Sequence, residues 1–542
     1  MIAEECDNVP VEDESFESVG TLKEGASFIP PETKKLPTLL QAEQLYGPPT
    51  RIPAILNPNH PTQPMGQALS KYKGVVKGLP IDSLRKAKNR IFSKFYENTE
   101  DLRQNIVLRT NEEAVTGVTT QGVRLLPGLN RGSSPGFPFN IAKGKGGGMA
   151  TKRTIFGPFE YDFTSPAAKA VFKEVDEVIE KALRGERSLC VFTDFLKDEL
   201  RPIDKATAGK TRLISGGPMV YTIACRRLFM DFIHAFTRER VGNTDNRFRS
   251  LVGINPYSEY DALAKHVRGV GDKFIAGDFS SYDGSEQPDI HHLLFDAICD
   301  WYGDRDGMDK ARRVLLMELT NSIHLGGLKN NRRTLYAWLK SLPSGHPLTC
   351  IINTMYNMLV FDWAFAELCP GLDFHTHVRA AYFGDDNLHG ISDTVCDRFN
   401  QLTLTPKLLE LGLTYTDESK SSSTEPYLSF EEVGILKRKF RLEKFEGRER
   451  YVAPLNMTSI LEAMYWWKKR EGVDEKAFLT DQLNIFLREM SLHGWEMWQE
   501  YVPKTIDAMK RIYDFEPTED YSSYRVFQMI LRETMSITEQ MF

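Results

Sequence analysis

An α+β fold is predicted by three features of this 542-residue sequence. Past a Gly/Ser-rich loop covering roughly 128 to 148, and up to about residue 437, apolar spacing alternates between helical and strand-like periods. Within that span Val378-Arg-Ala-Ala-Tyr-Phe383 and Asn387-Leu-His-Gly-Ile391 read as two strands joined through Gly384-Asp385. Glycine tolerates the positive φ that a type II′ hairpin turn demands first, so the pair reads as antiparallel. From Leu455 onward (LNMTSILEAMYWWKKR, DQLNIFLREMSLHGWEMWQEYV, VPKTIDAMKRIY) apolar residues keep helical spacing, and this end is expected to be all helix.

Composition narrows the class. The chain is long enough for two to four subdomains. A net charge of -6 excludes a uniformly basic nucleic-acid coat but leaves room for a basic channel, because binding follows local potential. The cysteines (Cys6, Cys190, Cys225, Cys299, Cys350, Cys369, Cys396) form no CxxC, which disfavours structural zinc and a disulfide framework. No apolar run reaches the length of a membrane span, and the N-terminus is acidic where a signal peptide is basic and apolar. The expectation is a soluble, cytosol-type protein.

Along the chain, the first eighteen residues carry seven acids and no base and read as a solvated tail. Prolines punctuate Phe28 to Pro64, which is expected to lie extended over other structure. The Gly/Ser-rich loop contains GLNRGSSPGFPF and KGKGGG.

Between Lys197 and Arg212 five bases (Lys197, Arg201, Lys205, Lys210, Arg212) fall within sixteen residues. Gly209-Lys210-Thr211 imitates the end of a Walker A motif, but Asp204 stands where that motif needs glycine, so a P-loop is rejected. What remains is either a solvated charge run or a basic strand pair that grips phosphates. Lys437-Arg438-Lys439 could add a second basic wall.

Lys273-Phe-Ile-Ala-Gly-Asp278 reads as a buried strand ending in a carboxylate, followed by Asp283 and by a helix opening at Pro288. Such an aspartate is costly unless it is paired or binds metal. Asp385 and Asp386 at the hairpin tip are, taken alone, equally consistent with a plain acidic turn; an EF-hand lacks its ligand spacing and closing glutamate. If the two strands are sheet neighbours, Asp278 and Asp385 face each other and suit a pair of Mg²⁺ ions roughly 4 Å apart, the arrangement of phosphoryl transfer. Between them, Ser344 lies in a Pro/Gly loop before a long apolar helix whose Thr349 and Asn353 share a face. These groups could line a nucleotide sugar, or simply cap a core helix. No G-x-S-x-G surrounds Ser344, so it is no hydrolase nucleophile.

In order, the chain presents a Gly-rich loop, a basic segment, D-x4-D, SG-x3-T-x3-N, GDD, a lysine and an LKR turn. This order closely resembles the viral RNA-dependent RNA polymerases of the picornavirus-like group, and GDFSSYDGS, PSGHPLTCIINTMYN and YFGDDN are nearest in flavour to viruses of arthropods and of marine or algal hosts. The resemblance covers about residues 28 to 440 and implies a closed right hand of fingers, palm and thumb. The implied division is an acidic extension over 1–20, fingers over 21–228 with 318–340, palm over 229–317 and 341–437, and a helical thumb over 438–542.

It also implies roles. Asp278 and Asp385 hold two Mg²⁺ (Mn²⁺ being an alternative), with Asp386 supporting; Asp283 senses the ribose hydroxyls with Ser344, Thr349 and Asn353. Lys197, Arg201, Lys205, Lys210 and Arg212 line the nucleotide tunnel, and Lys420 is the general acid for pyrophosphate. Lys437 and Arg438 grip the primer strand, while Ser133, Ser134 and Gly136 guide the incoming template. TKKLPTLL and RIPAILNPNHP resemble the bridge from fingers to thumb. Implied partners are RNA template and primer, rNTPs, a small protein primer and other viral replication proteins, at membrane-associated complexes in the host cytoplasm.

The sequence departs from the family at Phe383, usually tyrosine in vertebrate-virus enzymes, and at His346-Pro347-Leu348, where the family has a smaller loop. Family members arise by polyprotein cleavage, so Met1 is read either as other than the natural terminus or as the start of an extension. Of the rivals, a reverse transcriptase places a bulky ring near the sugar where this sequence offers Asp283 and Asn353, and a non-catalytic relic would have lost a metal aspartate.

Overall fold

The computed structural model describes residues 13–21, 31–120, 123–140, 151–241, 248–329, 332–417, 425–470 and 472–536. At its centre lies the helix Thr349–Leu368, buried without interruption from Ile351 to Phe365. A helix apolar on every side belongs inside a core rather than on its surface. Around it pack Ile81–Asn98, Pro288–Tyr302 and the sheet that carries the GDD hairpin. Its buried acid, Asp362, is neutralised by Arg90 (2.6 Å) and Arg249 (3.0 Å).

The hairpin forms as its residues dictate: Val378–Phe383 pairs with Asp386–Ile391, Phe383 opposite Asp386, and Gly384 takes a φ of +58°. Lys273–Ile275 joins the returning strand as its other neighbour. The strand expected over 273–278 is in fact two. Ala276 interrupts it, and Gly277–Phe279 pairs instead with Tyr415–Asp417. Gly277 allows this, since a Cβ there would lie 2.2 Å from the Tyr415 ring.

A five-stranded sheet runs in the order Phe16–Thr21, Arg332–Trp338, Ser322–Lys329, Val191–Leu196, Leu213–Gly216. Its first strand corrects the reading of the acidic N-terminus as a solvated tail. Phe16 is fully buried and stacks on Tyr336, with ring centroids 4.8 Å apart. Only alternate side chains of that strand face the core, so its acid, Glu17, stays in water while the ladder binds the chain. The remainder of the acidic segment, 1–12, lies outside the described residues.

The proline-rich segment is draped as expected. Arg51–Pro53 pairs with Leu200–Pro202, and Lys35–Pro37 pairs with Trp466–Lys468. Thr50 also bonds Glu462 through its N–H (3.2 Å) and hydroxyl (3.0 Å). One stretch of chain thus ties the basic segment to the C-terminal region. That region is helical in the main, with Met457–Tyr465, Glu475–Ser491, Trp495–Tyr513 and Tyr524–Ser536 around their own core. The all-helix expectation fails at Trp466–Lys468, and the 438–542 span begins with a hairpin, Arg441–Phe445 with Arg448–Val452. The Trp466 strand owes its form to a partner more than 400 residues away, which a local period cannot register.

Candidate active site

The GDD tip is held from behind by the central helix. Gly384 N–H donates to Thr354 Oγ1 (2.8 Å), while Asn357 Nδ2 donates to Gly384 O (2.9 Å) and to Asp386 O (3.3 Å). The side chains of Asp385 and Asp386 are exposed, and Asp278 is half-buried. Asn387 clamps the two acidic strands together. Its Nδ2 donates to Gly277 O (3.2 Å) and Asp385 O (3.2 Å), and its Oδ1 accepts from Tyr415 (2.7 Å). Thr354, Asn357 and Asn387 were not singled out from sequence. Their signal is polarity inside an otherwise apolar helix, or one place past the tip.

Asp283 sits on the turn Tyr282–Ser285, where Asn353 Nδ2 donates to its Oδ1 at 2.7 Å. Burial pushes its carboxyl up to about 6, and the Asp385 charge adds to this against the pull of Asn353 and Arg212. Asn353 Oδ1, also buried, has no hydrogen-bond partner. Ser344 Oγ accepts from Ser215 N–H (3.0 Å), so the loop before the helix docks on the basic segment's strand. Gly345 makes that contact possible, since a Cβ would lie 2.0 Å from Ser215 O. Thr349, expected at the sugar, donates its hydroxyl to Pro343 O (3.1 Å) and staples the loop. His346 is buried and held neutral, its imidazole pushed down to about 3 by burial, and its Nδ1 accepts from Leu348 N–H (3.0 Å). The longer loop is therefore pinned.

The five bases do not form a simple strand pair. Lys197 N–H bonds Arg212 O at 2.9 Å, extending the antiparallel pair, but Arg201 lies on the strand paired to Arg51–Pro53 and Lys205 on the helix Ile203–Thr207. Glu199 gathers them: Arg212 grips it with two bonds, Lys197 lies 3.4 Å and Arg201 3.8 Å away. Gly209-Lys210-Thr211 leads into the strand Leu213–Gly216 rather than a helix, which excludes a phosphate-binding helix start. Sequence reasoning missed Lys71. Its ammonium is lowered by burial and by the neighbouring Arg201, Arg212, Lys210 and Lys205, so it belongs to the same cluster. Arg212 feels the charges of both Asp385 and Asp283, so this end of the cluster lies within electrostatic reach of the acids.

Leu436 and Lys437 form a tight turn with φ of +57° and +61°, and the field of Asp386 reaches Lys437. Arg438, expected at RNA, is instead bonded to both oxygens of Glu489 (2.8 and 2.7 Å) and to Ala453 O (2.8 Å). These bonds tie down the turn that carries Lys437. At the Gly-rich loop, Lys152 Nζ donates to Ser133 Oγ (2.7 Å), and Ser134 Oγ accepts from Gly136 N–H (3.2 Å). Gly136 (φ +73°) approaches so closely that a Cβ would lie 2.5 Å from Gly217 O. Gly217 directly follows the strand on which Ser344 docks. Lys420 lies outside the described residues.

Among the described residues no three His, Cys, Asp or Glu side chains form a ready-made metal cage. The donor set still fits Mg²⁺, which binds through one or two carboxylates plus substrate phosphates and keeps its waters. Burial raises the Asp283 carboxyl and the Asp385 charge adds to it, and a divalent cation between the acids would offset that second contribution.

A family model for viral RNA-dependent RNA polymerase matches residues 40–510. The replicase polyprotein of Drosophila C virus is 31% identical over 478 residues, covering 83% of this chain and 26% of the relative. Those of Cricket paralysis virus and Acute bee paralysis virus are 32% and 34% identical, covering 78% and 73% of this chain and 24% and 21% of themselves. The chain thus spans about a quarter of the length of these relatives. The solved Sicinivirus 3Dpol RNA dependent RNA polymerase superposes with a TM-score of 0.70 at 20% identity, covering 96% of this chain and all of that one. That likeness is one of fold, and it bears out the right-hand architecture. With the acidic hairpin, the docked Ser344 loop and the basic cluster all inside the matched span, the chain belongs to the family of viral RNA-dependent RNA polymerases.

Proposed function

We propose that this chain carries out template-directed RNA synthesis in viral genome replication, transferring nucleotidyl groups from rNTPs to an RNA 3′-hydroxyl. The observation that carries this reading is geometric: the central helix bonds the Asp283 carboxylate through Asn353 and the GDD tip through Asn357, and the Ser344 loop before it docks on the strand that follows Arg212. Acids on one side and bases on the other suit a triphosphate lying between them. Asp278 and Asp385 would hold two Mg²⁺ with Asp386 in support. Bound there, these ions lower the pKa of the attacking hydroxyl and neutralise charge on the leaving oxygen. Arg201, Lys205, Lys210, Arg212 and Lys71 orient the triphosphate and offset its charge; such chemistry is mainly positioning. Asp283 and Asn353 accept from and donate to the ribose, Ser344 holds the loop beside them, and Lys437 contacts the primer strand. Lys420 is proposed as the proton donor to pyrophosphate, and Ser133, Ser134 and Gly136 as the template guide.

The regional division into fingers, palm and thumb given above, a protein primer, viral replication partners and host cytoplasmic membrane complexes belong to the same proposal. Among the described residues no helix is long and apolar enough to cross a membrane.

The test is primer extension on a homopolymeric template with labelled rNTPs or dNTPs, with and without Mg²⁺. Incorporation of rNTPs only, dependent on the ion, is the expected result; equal use of dNTPs or none at all defeats the proposal. The titration of Asp283 adds a pH dependence. Its carboxylate is the charged, hydroxyl-accepting form only above about 6. Ribose preference should therefore be full near pH 8 and decline through about pH 6 as Asp283 protonates. A ratio of rNTP to dNTP incorporation that stays flat over that range counts against Asp283 as the sugar sensor.

A further inference from the structure

The segment 340–342, immediately before the Ser344 loop, is bonded to the Asp283 turn residue by residue. Ser341 N–H donates to Glu286 O (3.0 Å), and Leu342 N–H donates to Asp283 O (3.1 Å). Ser341 Oγ donates to Gly284 O (3.1 Å), and the Lys340 ammonium donates to the same carbonyl. Lys340 is 3% exposed, so a positive charge has been carried into the protein to reach a main-chain oxygen next to Asp283. Burying an ammonium is costly unless it is bonded and faces a counter-charge. The bond is to Gly284, and the acid facing it is Asp13, whose Oδ2 also accepts from Gly74 N–H (3.0 Å). The end of the lysine passes close to Gly74, where a Cβ would stand in ordinary contact, 3.4 Å from both Cε and Nζ.

The far side of the turn is fixed just as closely. A Cβ on Gly284 would lie 2.3 Å from Lys71 O, so the turn is sandwiched between the Lys71 backbone and Lys340. Ser281 (φ +52°) and Ser341 (φ +77°) both hold the left-handed conformation without being glycine. Strained residues of this kind persist only where surrounding bonds over-determine them. Asn353 fixes the Asp283 carboxylate, while the bonds from 340–342 and the Lys71 contact, with Ser285 Oγ donating to Ser281 O (2.9 Å), fix the backbone that carries it.

We propose that Lys340 is a positioning residue for sugar selection, holding the Gly284 carbonyl so that Asp283 is presented to the ribose of the incoming nucleotide. This rests on the reading of Asp283 as the sugar sensor. Lys340 touches neither substrate nor metal in this arrangement; it acts through the turn.

Single-nucleotide incorporation of an rNTP and its 2′-deoxy counterpart, with a thermal melt, is measured on the full chain for the parent, Lys340→Met, Lys340→Gln and Asp283→Ala. Removing a charged donor from a buried carbonyl is expected to lower rNTP kcat/KM by about tenfold or more in Lys340→Met, with dNTP values held within about twofold. The ratio then falls toward that of Asp283→Ala, and Lys340→Gln, a neutral donor, lies between. A parallel loss with both substrates, or an unchanged ratio, overturns the proposal while Asp283→Ala alone collapses it. An unchanged ratio in Asp283→Ala overturns the sugar-sensor reading and this proposal with it. Should Lys340→Met not fold, the Lys340→Gln ratio decides by the same criterion.

Discussion

Asp385→Asn is expected to abolish nucleotide incorporation, by at least about 10²–10³-fold, while leaving RNA binding and the melting temperature near those of the parent chain. The substitution keeps the side chain's shape and removes its charge. The tip is fixed by main-chain bonds, Gly384 N–H to Thr354 and Asn357 to the carbonyls of Gly384 and Asp386, none of which involves the Asp385 carboxylate. The hairpin should therefore fold unchanged, and the loss should be confined to chemistry. Rates from pre-bound RNA, measured by rapid quench, separate the two effects. An Asp385→Asn chain with near-parent turnover removes the two-metal assignment.

Arg438→Ala should cost about 3–5 kcal/mol of stability, because it strands the Glu489 carboxylate in a buried site. The side chains of Arg438 and Glu489 are 11% and 5% exposed, and Tyr257 also donates to Glu489 (2.7 Å). Lys437→Ala, one residue earlier, should behave in the opposite way. It should leave the denaturant midpoint nearly unmoved but weaken RNA binding and reduce the salt slope by about one counterion. The pair of variants thus divides two adjacent bases into a structural and an RNA-facing role. If Arg438→Ala melts like the parent and instead lowers the salt slope, the division is wrong.

Much of the site was legible because its signals are local. A glycine at the turn places Asp385 at a hairpin tip, and a Pro/Gly loop followed by an apolar run places Ser344 before a helix; both depend on a few adjacent dihedrals. The motif order then supplied the family. Other features needed the folded chain. Lys71 and Lys340 look like ordinary lysines in sequence, yet one completes the basic cluster and the other reaches the Gly284 carbonyl. Arg438 looks identical to its neighbour in a basic run, but its partner Glu489 lies fifty-one residues further on. The N-terminal acids hid a strand, since a charge count does not see that Phe16 and its alternate neighbours face inward.

Residue types and their local spacing therefore set which groups are available for chemistry and which turns, strands and helices carry them. Long-range folding settles which charges oppose one another and which bases are engaged in ion pairs. The reason is physical: turn and helix geometry is set within a few residues, whereas electrostatic pairing and strand partnership depend on groups that only the closed chain brings within bonding distance.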